Sequence, residues 1–325
     1  MPASRNSRRR RRCRRRDRHL SSRSPEAESR PIPACRASPA RRLPCAKAYS
    51  LRRGIARPSG WPLGSPFYPP YHFERVPSPT ARSRMPTSAA SPMRLRRELA
   101  AAFRLAEKFG YSEGICNHFS VVVPGPEERY LINPYGLHWS EMRPEHLLLI
   151  DGDGQVIEGD GEVEATARHI HVQGHRANPR HQCILHVHMP WATSLTMVQG
   201  GRLEMAHQTA ARYYGRIAYQ SFGGIALDES EGKRIADAQK SNPTADIFFL
   251  AHHGISIGGP SIAFAFDDLY YLERAAKQQV LAMSTGLPLQ IMPEEQAKDT
   301  ARQYMQVIDF AAQKHFDALM RINGL

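Results

Sequence analysis

The chain has 325 residues, 41% of them hydrophobic and 23% charged, with a formal net charge of +13. That length allows one large domain or two ordinary ones. No stretch approaches the ~20 consecutive apolar residues of a membrane-spanning helix, which excludes a helical span. The five cysteines (Cys13, Cys35, Cys45, Cys116, Cys183) are scattered, odd in number and without a C-x-x-C pair. They argue against a disulfide framework or an all-cysteine zinc site, and for a reducing, cytoplasmic setting.

The charge is uneven. Residues 1–92 hold 21 arginines and one lysine against four acids, a net +18; residues 93–325 keep 22 basic and 27 acidic residues, a net −5. A globular nucleic-acid binder would carry its basic face on the folded part, and here that part is mildly acidic. Nucleic acid is therefore an expected partner only through the leader. Runs such as Arg8–Arg12 and Arg14–Arg16, with frequent Pro and Ser and no apolar periodicity, predict a disordered segment over 1–92. Three readings compete for it: a transit peptide, a basic arm for phosphates, or a mis-assigned start, since Met85 and Met93 stand near the first periodic segment.

In chain order, Leu95, Leu99, Ala102, Phe103 and Ala106 predict a helix over Met93–Phe109, stopped by Gly110. Short strands follow at Phe119–Val123, Tyr130–Ile132 and Leu147–Ile150, the last entering a hairpin through the Asp151–Gly154 turn to Val156-Ile157. A helix is expected over Ala165–Ala177, a strand over Gln182–His188, helical spacing over 191–198 and a buried strand over Ile247–Ala251. Pro260 opens a helix to Ser284, and a last helix covers Pro293–Arg321. Hairpins mixed with crossovers predict one three-layer α/β/α domain over 93–325 with a mixed central sheet.

Two histidine pairs carry the chemistry. On the strand Cys183-Ile184-Leu185-His186-Val187-His188, alternation puts His186 and His188 on one face, and Pro190 ends the strand at once. His252-His253-Gly254 stands at the end of another apolar strand. If the two strand ends are neighbours, one of His252 and His253 completes a three-histidine site suited to a borderline divalent ion with an open position. H-x-H alone is a weak signal, because strands also carry histidines for solvation.

Several ordered motifs resemble the class II aldolase/adducin (fuculose-phosphate aldolase) family: Glu113-Gly114-Ile115-Cys116-Asn117-His118-Phe119-Ser120, Ile132-Asn133-Pro134-Tyr135-Gly136, Ile184-Leu185-His186-Val187-His188-Met189-Pro190, His252-His253-Gly254 and Phe266–Glu273. They cover most of residues 93–290. The resemblance implies a three-layer fold, a homotetramer, and one Zn2+ (or Mn2+/Fe2+) per subunit held by His186, His188 and His253, with His252 a neighbour. It also implies a lyase that cleaves a carbon–carbon bond beside a carbonyl in a small-molecule substrate.

The sequence departs from the aldolase pattern. The family's metal-binding, proton-carrying Glu falls on Ala167 by ungapped counting, and only a register shift brings in Glu164. The phosphate-binding positions carry Asn117-His118, Tyr135-Gly136 and Ala165-Thr166, and Gln208 stands where a proton-donating Tyr is expected. Asn117, His118 and Gly136 are thus the substrate-binding candidates, with a weaker phosphate cradle. His169 and His171 are candidate bases beside Glu164, since imidazole titrates near neutrality; the plainer alternative is that they cap or solvate their helix. Arg212-Tyr213-Tyr214 offers a guanidinium fork for a carboxylate, or a subunit contact. Phe266–Glu273 reads as helix core with salt bridges, outside the site. A metal-dependent lyase is expected; a decarboxylase or a non-catalytic, adducin-like interaction protein on the same scaffold are the alternatives.

Overall fold

The structure is a computed structural model that describes residues 91–224 and 229–325. The expectation of disorder over 1–92, and the readings of the leader, fall outside these residues except at Ser91 and Pro92. The first helix, α1, spans Pro92–Lys108, one residue earlier than the periodicity placed it. Ser91 explains the shift: its hydroxyl accepts from Arg94 N at 3.3 Å, and Pro92 fills the first turn, where its missing N–H costs nothing.

Eight strands follow: β1 (His118–Val122), β2 (Arg129–Ile132), β3 (Leu148–Asp151), β4 (Val156–Glu158), β5 (Cys183–Val187), β6 (Ile217–Gln220), β7 (Ile247–Leu250) and β8 (Gly254–Gly259). They form one sheet in the order β4-β3-β2-β1-β5-β8-β7-β6. The β6–β7 pair is parallel and the other pairs antiparallel, so the sheet is mixed, as expected. The helices after α1 are α2 (Ala165–Ala177), α3 (Pro190–Thr196), α4 (Gln208–Ala211), α5 (Glu229–Ser241), α6 (Ile262–Met283) and α7 (Glu294–Ile322).

Strand alternation sorts the residues into two faces. Phe119, Val121, Cys183, Leu185, Val187, Ile255 and Ile257 enter the main apolar core with Phe103 of α1, Leu269 of α6 and Phe316 of α7. The opposite face carries Tyr130, Ile132, Leu148 and Ile150 against Ala167 and Val172 of α2. Further along that face, Ala218, Phe248 and Leu250 pack beside Ala238 of α5. These are the three layers.

Four elements escape the sequence pattern: β6, β8, α4 and α5. In β8, Gly254, Gly258 and Gly259 break up an alternation that only Ile255 and Ile257 signal. β6 is a four-residue edge strand, too short to show a period.

The α2 layer sits close to the sheet at the point that matters for the site. A Cβ on Gly174 would lie 2.9 Å from Ile184 Cδ1, so glycine lets the middle of α2 come down on β5. The sheet face under α2 is polar in its centre: His118 and Ser120 of β1 lie opposite His186 and Ile184 of β5.

Candidate metal centre

His186 and His188 stand at the end of β5 and His253 in the turn between β7 and β8. The β5–β8 pairing, with Val187 opposite Ile255, brings that turn beside the end of β5. One ligand atom from each of the three imidazoles falls within 4.8 Å of the other two. His252 is exposed, with φ 57 and its ring against Phe222 at 6.1 Å, so the left-handed residue turns outward while His253 turns in. Gly254 is required by a close approach. A Cβ there would lie 2.6 Å from both His188 Cδ2 and the Val187 carbonyl oxygen.

Hydrogen bonds decide the tautomers. His186 Nδ1 donates to the Ile255 carbonyl at 3.1 Å, which leaves its Nε2 as a lone pair. His188 Nδ1 donates to Glu113 Oε2 at 2.5 Å, which does the same for its Nε2. These two bare Nε2 atoms face each other at 3.1 Å. In neutral rings, two lone pairs at that distance repel unless a cation, a proton or a metal ion, lies between them. Ligand nitrogens at ~2.0–2.1 Å from a tetrahedral zinc stand roughly 3.3 Å apart, so the pair matches the donor set of a bound ion. The residues fit the metal. Burial pushes His186 well below its ordinary value, which favours the neutral, ligating form.

A second group of imidazoles lies beneath the triad. His118 stacks on His186 with ring centroids 4.8 Å apart. Its Nδ1 meets His171 Nε2 at 2.7 Å, and Ser120 Oγ bonds both His171 Nδ1 and His175 Nε2. His175 Nδ1 donates to the His181 carbonyl at 2.6 Å. Burial, with the nearby His188 and His253 rings, holds His118 down to about 3; burial holds His175 down to about 4.

The other expected site residues are placed as follows. Glu164 is the N-cap residue of α2 without a side-chain cap, and its carboxylate stands 3.8 Å from His118 Nε2. His171 is fully buried and reaches the site only through His118. His169 is not brought to the triad. It lines a hollow against the β3–β4 turn with Gly152, Asp153 and Gln155, because residues two apart project from different helix faces. Asn117 is buried, and its Oδ1 accepts from Glu113 N at 2.8 Å, so it holds the loop that carries Glu113. Gly136 lies in an exposed turn with φ 88, in a loop tied to the segment before α2 by Tyr135 N to the Glu162 carbonyl at 2.7 Å.

Arg212 is not free to serve as a substrate fork. Its buried guanidinium holds Asp267 and Asp268 at 2.6 and 3.0 Å. Gln208 opens α4, which packs against α6 and α7. Sequence reasoning missed Glu113, Ser120 and His175. Glu113 was visible in its motif, but nothing in linear order pairs it with His188, 75 residues on.

Residues 97–280 match the family described as Class II Aldolase and Adducin N-terminal domain. The chain belongs to this family. An aldolase II superfamily protein from Pseudomonas syringae superposes with a TM-score of 0.66 at 31% identity, covering 71% of this chain and 92% of that one. L-fuculose 1-phosphate aldolase from Glaciozyma antarctica PI12 gives 0.63 at 26% identity, covering 72% and 91%. An adducin-related protein of Schizosaccharomyces pombe is 33% identical over 199 residues, 59% of this chain and 60% of that protein. The chain thus spans well under two thirds of that relative's length, and both enzymes and adducins stand among its family members.

Proposed function

We propose that the protein is a divalent-metal-dependent lyase that cleaves a carbon–carbon bond beside a carbonyl in a small hydroxy-carbonyl or carboxylate substrate. The observation that carries this is the facing Nε2 pair of His186 and His188, each with its Nδ1 committed elsewhere. A scaffold that had lost its chemistry would have no reason to hold two lone pairs together. His186, His188 and His253 are the ligands, and Zn2+, Mn2+ or Fe2+ suits them. Such an ion supplies a Lewis acid for the negative charge that develops on the substrate's carbonyl oxygen.

The chain's own residues do the rest. Glu113 and the Ile255 carbonyl orient two of the ligands. The Glu164 side chain, one third exposed beside His118, is the group that accepts the substrate hydroxyl proton as the bond breaks and returns it to carbon. His118 borders the substrate. Large apolar side chains exposed after α3 (Met197, Val198) and around the end of α6 (Leu281, Met283, Leu287) favour self-association, consistent with a homotetramer. A cytoplasmic location agrees with the free thiols of Cys116 and Cys183.

Metal analysis tests the reading. Purified or reloaded protein should hold one divalent ion per subunit, and His186→Ala should lose it together with carbonyl release from hydroxyketones. Protein that cannot be loaded would leave the non-catalytic, adducin-like reading in its place.

A further inference from the structure

The imidazoles beneath the triad form a chain whose hydrogen-bond directions can be solved from one end. The His181 carbonyl can only accept, so His175 carries its proton on Nδ1 and leaves Nε2 bare. Ser120 has one hydroxyl proton, and His175 Nε2 at 2.7 Å takes it. The same oxygen must therefore accept from His171, which puts that proton on His171 Nδ1. His171 Nε2 is then bare and accepts from His118 Nδ1 at 2.7 Å. We infer that this buried chain from the His181 carbonyl through His175, Ser120 and His171 fixes His118 as the Nδ1–H tautomer, presenting its Nε2 to the site as an acceptor for a substrate hydroxyl.

Two acceptors then stand 3.8 Å apart: the His118 Nε2 lone pair and the Glu164 carboxylate. Each needs a donor of its own, because one hydroxyl proton satisfies only one of them. Adjacent hydroxyls supply the two donors; a phosphate, itself an acceptor with negative charge, is repelled. The substrate class becomes a polyol ketone with adjacent free hydroxyls near the carbonyl and no phosphate on them. Ser120, His171 and His175 act only through His118 and are positioning residues. Their sheet neighbours explain why the chain is dry: His118, Ser120, His171 and His175 are all buried, and the Tyr130 ring stacks on His175 with centroids 4.8 Å apart. The chain's state does not depend on an ion, but the substrate's placement rests on the metal reading above.

The test is long-range 1H–15N correlation on the full chain with 15N-labelled histidine, near pH 7.5, metal-free and zinc-loaded. His118, His171 and His175 should each show the pattern of the Nδ1–H tautomer, which is the minor form of free histidine. Ser120→Ala should move His118 toward a tautomer mixture. Dihydroxyacetone added to the zinc-loaded protein should shift His118 Nε2, and inorganic phosphate at equal concentration should leave it unmoved. A His118 signal from Nε2–H or from imidazolium overturns the inference, as does a Ser120→Ala protein with His118 unchanged or a phosphate response at Nε2. The wild-type pattern decides the matter if Ser120→Ala does not fold. Failure to bind zinc would overturn the metal reading while these metal-free signals stay readable.

Discussion

The protein buries two polar clusters, and they follow opposite rules. Around Arg212 and Arg216, guanidinium groups are matched with carboxylates in a network. Arg212 holds Asp267 and Asp268, Arg216 holds Asp246 and Asp268, and His315 of α7 bonds Asp267 at 2.7 Å. Around His186 the groups are imidazoles, and the Nε2 atoms of two of them face each other at 3.1 Å. Buried charge is tolerated when it is matched, which is what a structural cluster needs. Buried acceptors left facing one another are tolerated only where something else is meant to come between them. The contrast separates a site from a support, and each half can be broken alone.

The largest effect falls on the support. Asp268→Asn keeps the shape but removes the carboxylate shared by both guanidinium groups, which lie 3.0 and 2.5 Å from it. Leaving buried charges uncompensated costs about 3–5 kcal/mol. Denaturant unfolding should show that loss, while the surviving folded protein keeps one metal ion per subunit. A change in metal content with stability intact would show that the two clusters are not separate. The next effect falls on the site. Glu113→Gln weakens the charge-assisted bond to His188 Nδ1 without touching the core, because the Glu113 side chain is 68% exposed. Loss of an outer partner of a ligating histidine costs about 10–100-fold in metal affinity. Competition with a chelator should read that drop, and the unfolding midpoint of metal-free protein should not move.

Of the two clusters, the site was the more legible in sequence. His186 and His188 share a strand face by alternation alone, and Pro190 and Gly254 mark the strand ends where the imidazoles sit. The partners were hidden because they come from far along the chain. Ser120 meets His171 and His175 only because Gly174 lets α2 approach β5, and no linear spacing encodes that approach. The approach of Glu164 to His118 is likewise set by where α2 begins, which counting back from β5 does not give. His169 shows the opposite error. Its residue type suits catalysis, yet helical geometry turns it away from the sheet face that His171 enters. The Arg212 cluster was half legible: Asp267 and Asp268 read correctly as salt-bridge partners, while Arg212 read as a binding fork or a subunit contact and Arg216 was not singled out. For the fold, strong apolar periods marked α1, α6 and α7 within a residue or two. β8 was lost to its glycines.

Glu273 tests the boundary between the two rules, and with the smallest effect. It is a buried carboxylate held by backbone donors rather than a guanidinium: its oxygens accept from Trp191 N and Ala192 N, each at 2.8 Å. Those N–H groups are free at the start of α3, which follows directly on His188, so the carboxylate of α6 caps the helix that closes the end of β5. Burial pushes the Glu273 carboxyl up, against the pull of the two N–H groups. Glu273→Gln keeps one acceptor and adds a donor where a donor already points, and loss of such a cap costs about 1 kcal/mol. Thermal unfolding should fall by a few degrees. If the capping group only supports the fold, chelator competition should give the wild-type metal affinity. A drop like that of Glu113→Gln would instead mean that α3 positions His188, and that the support reaches into the site through the strand end.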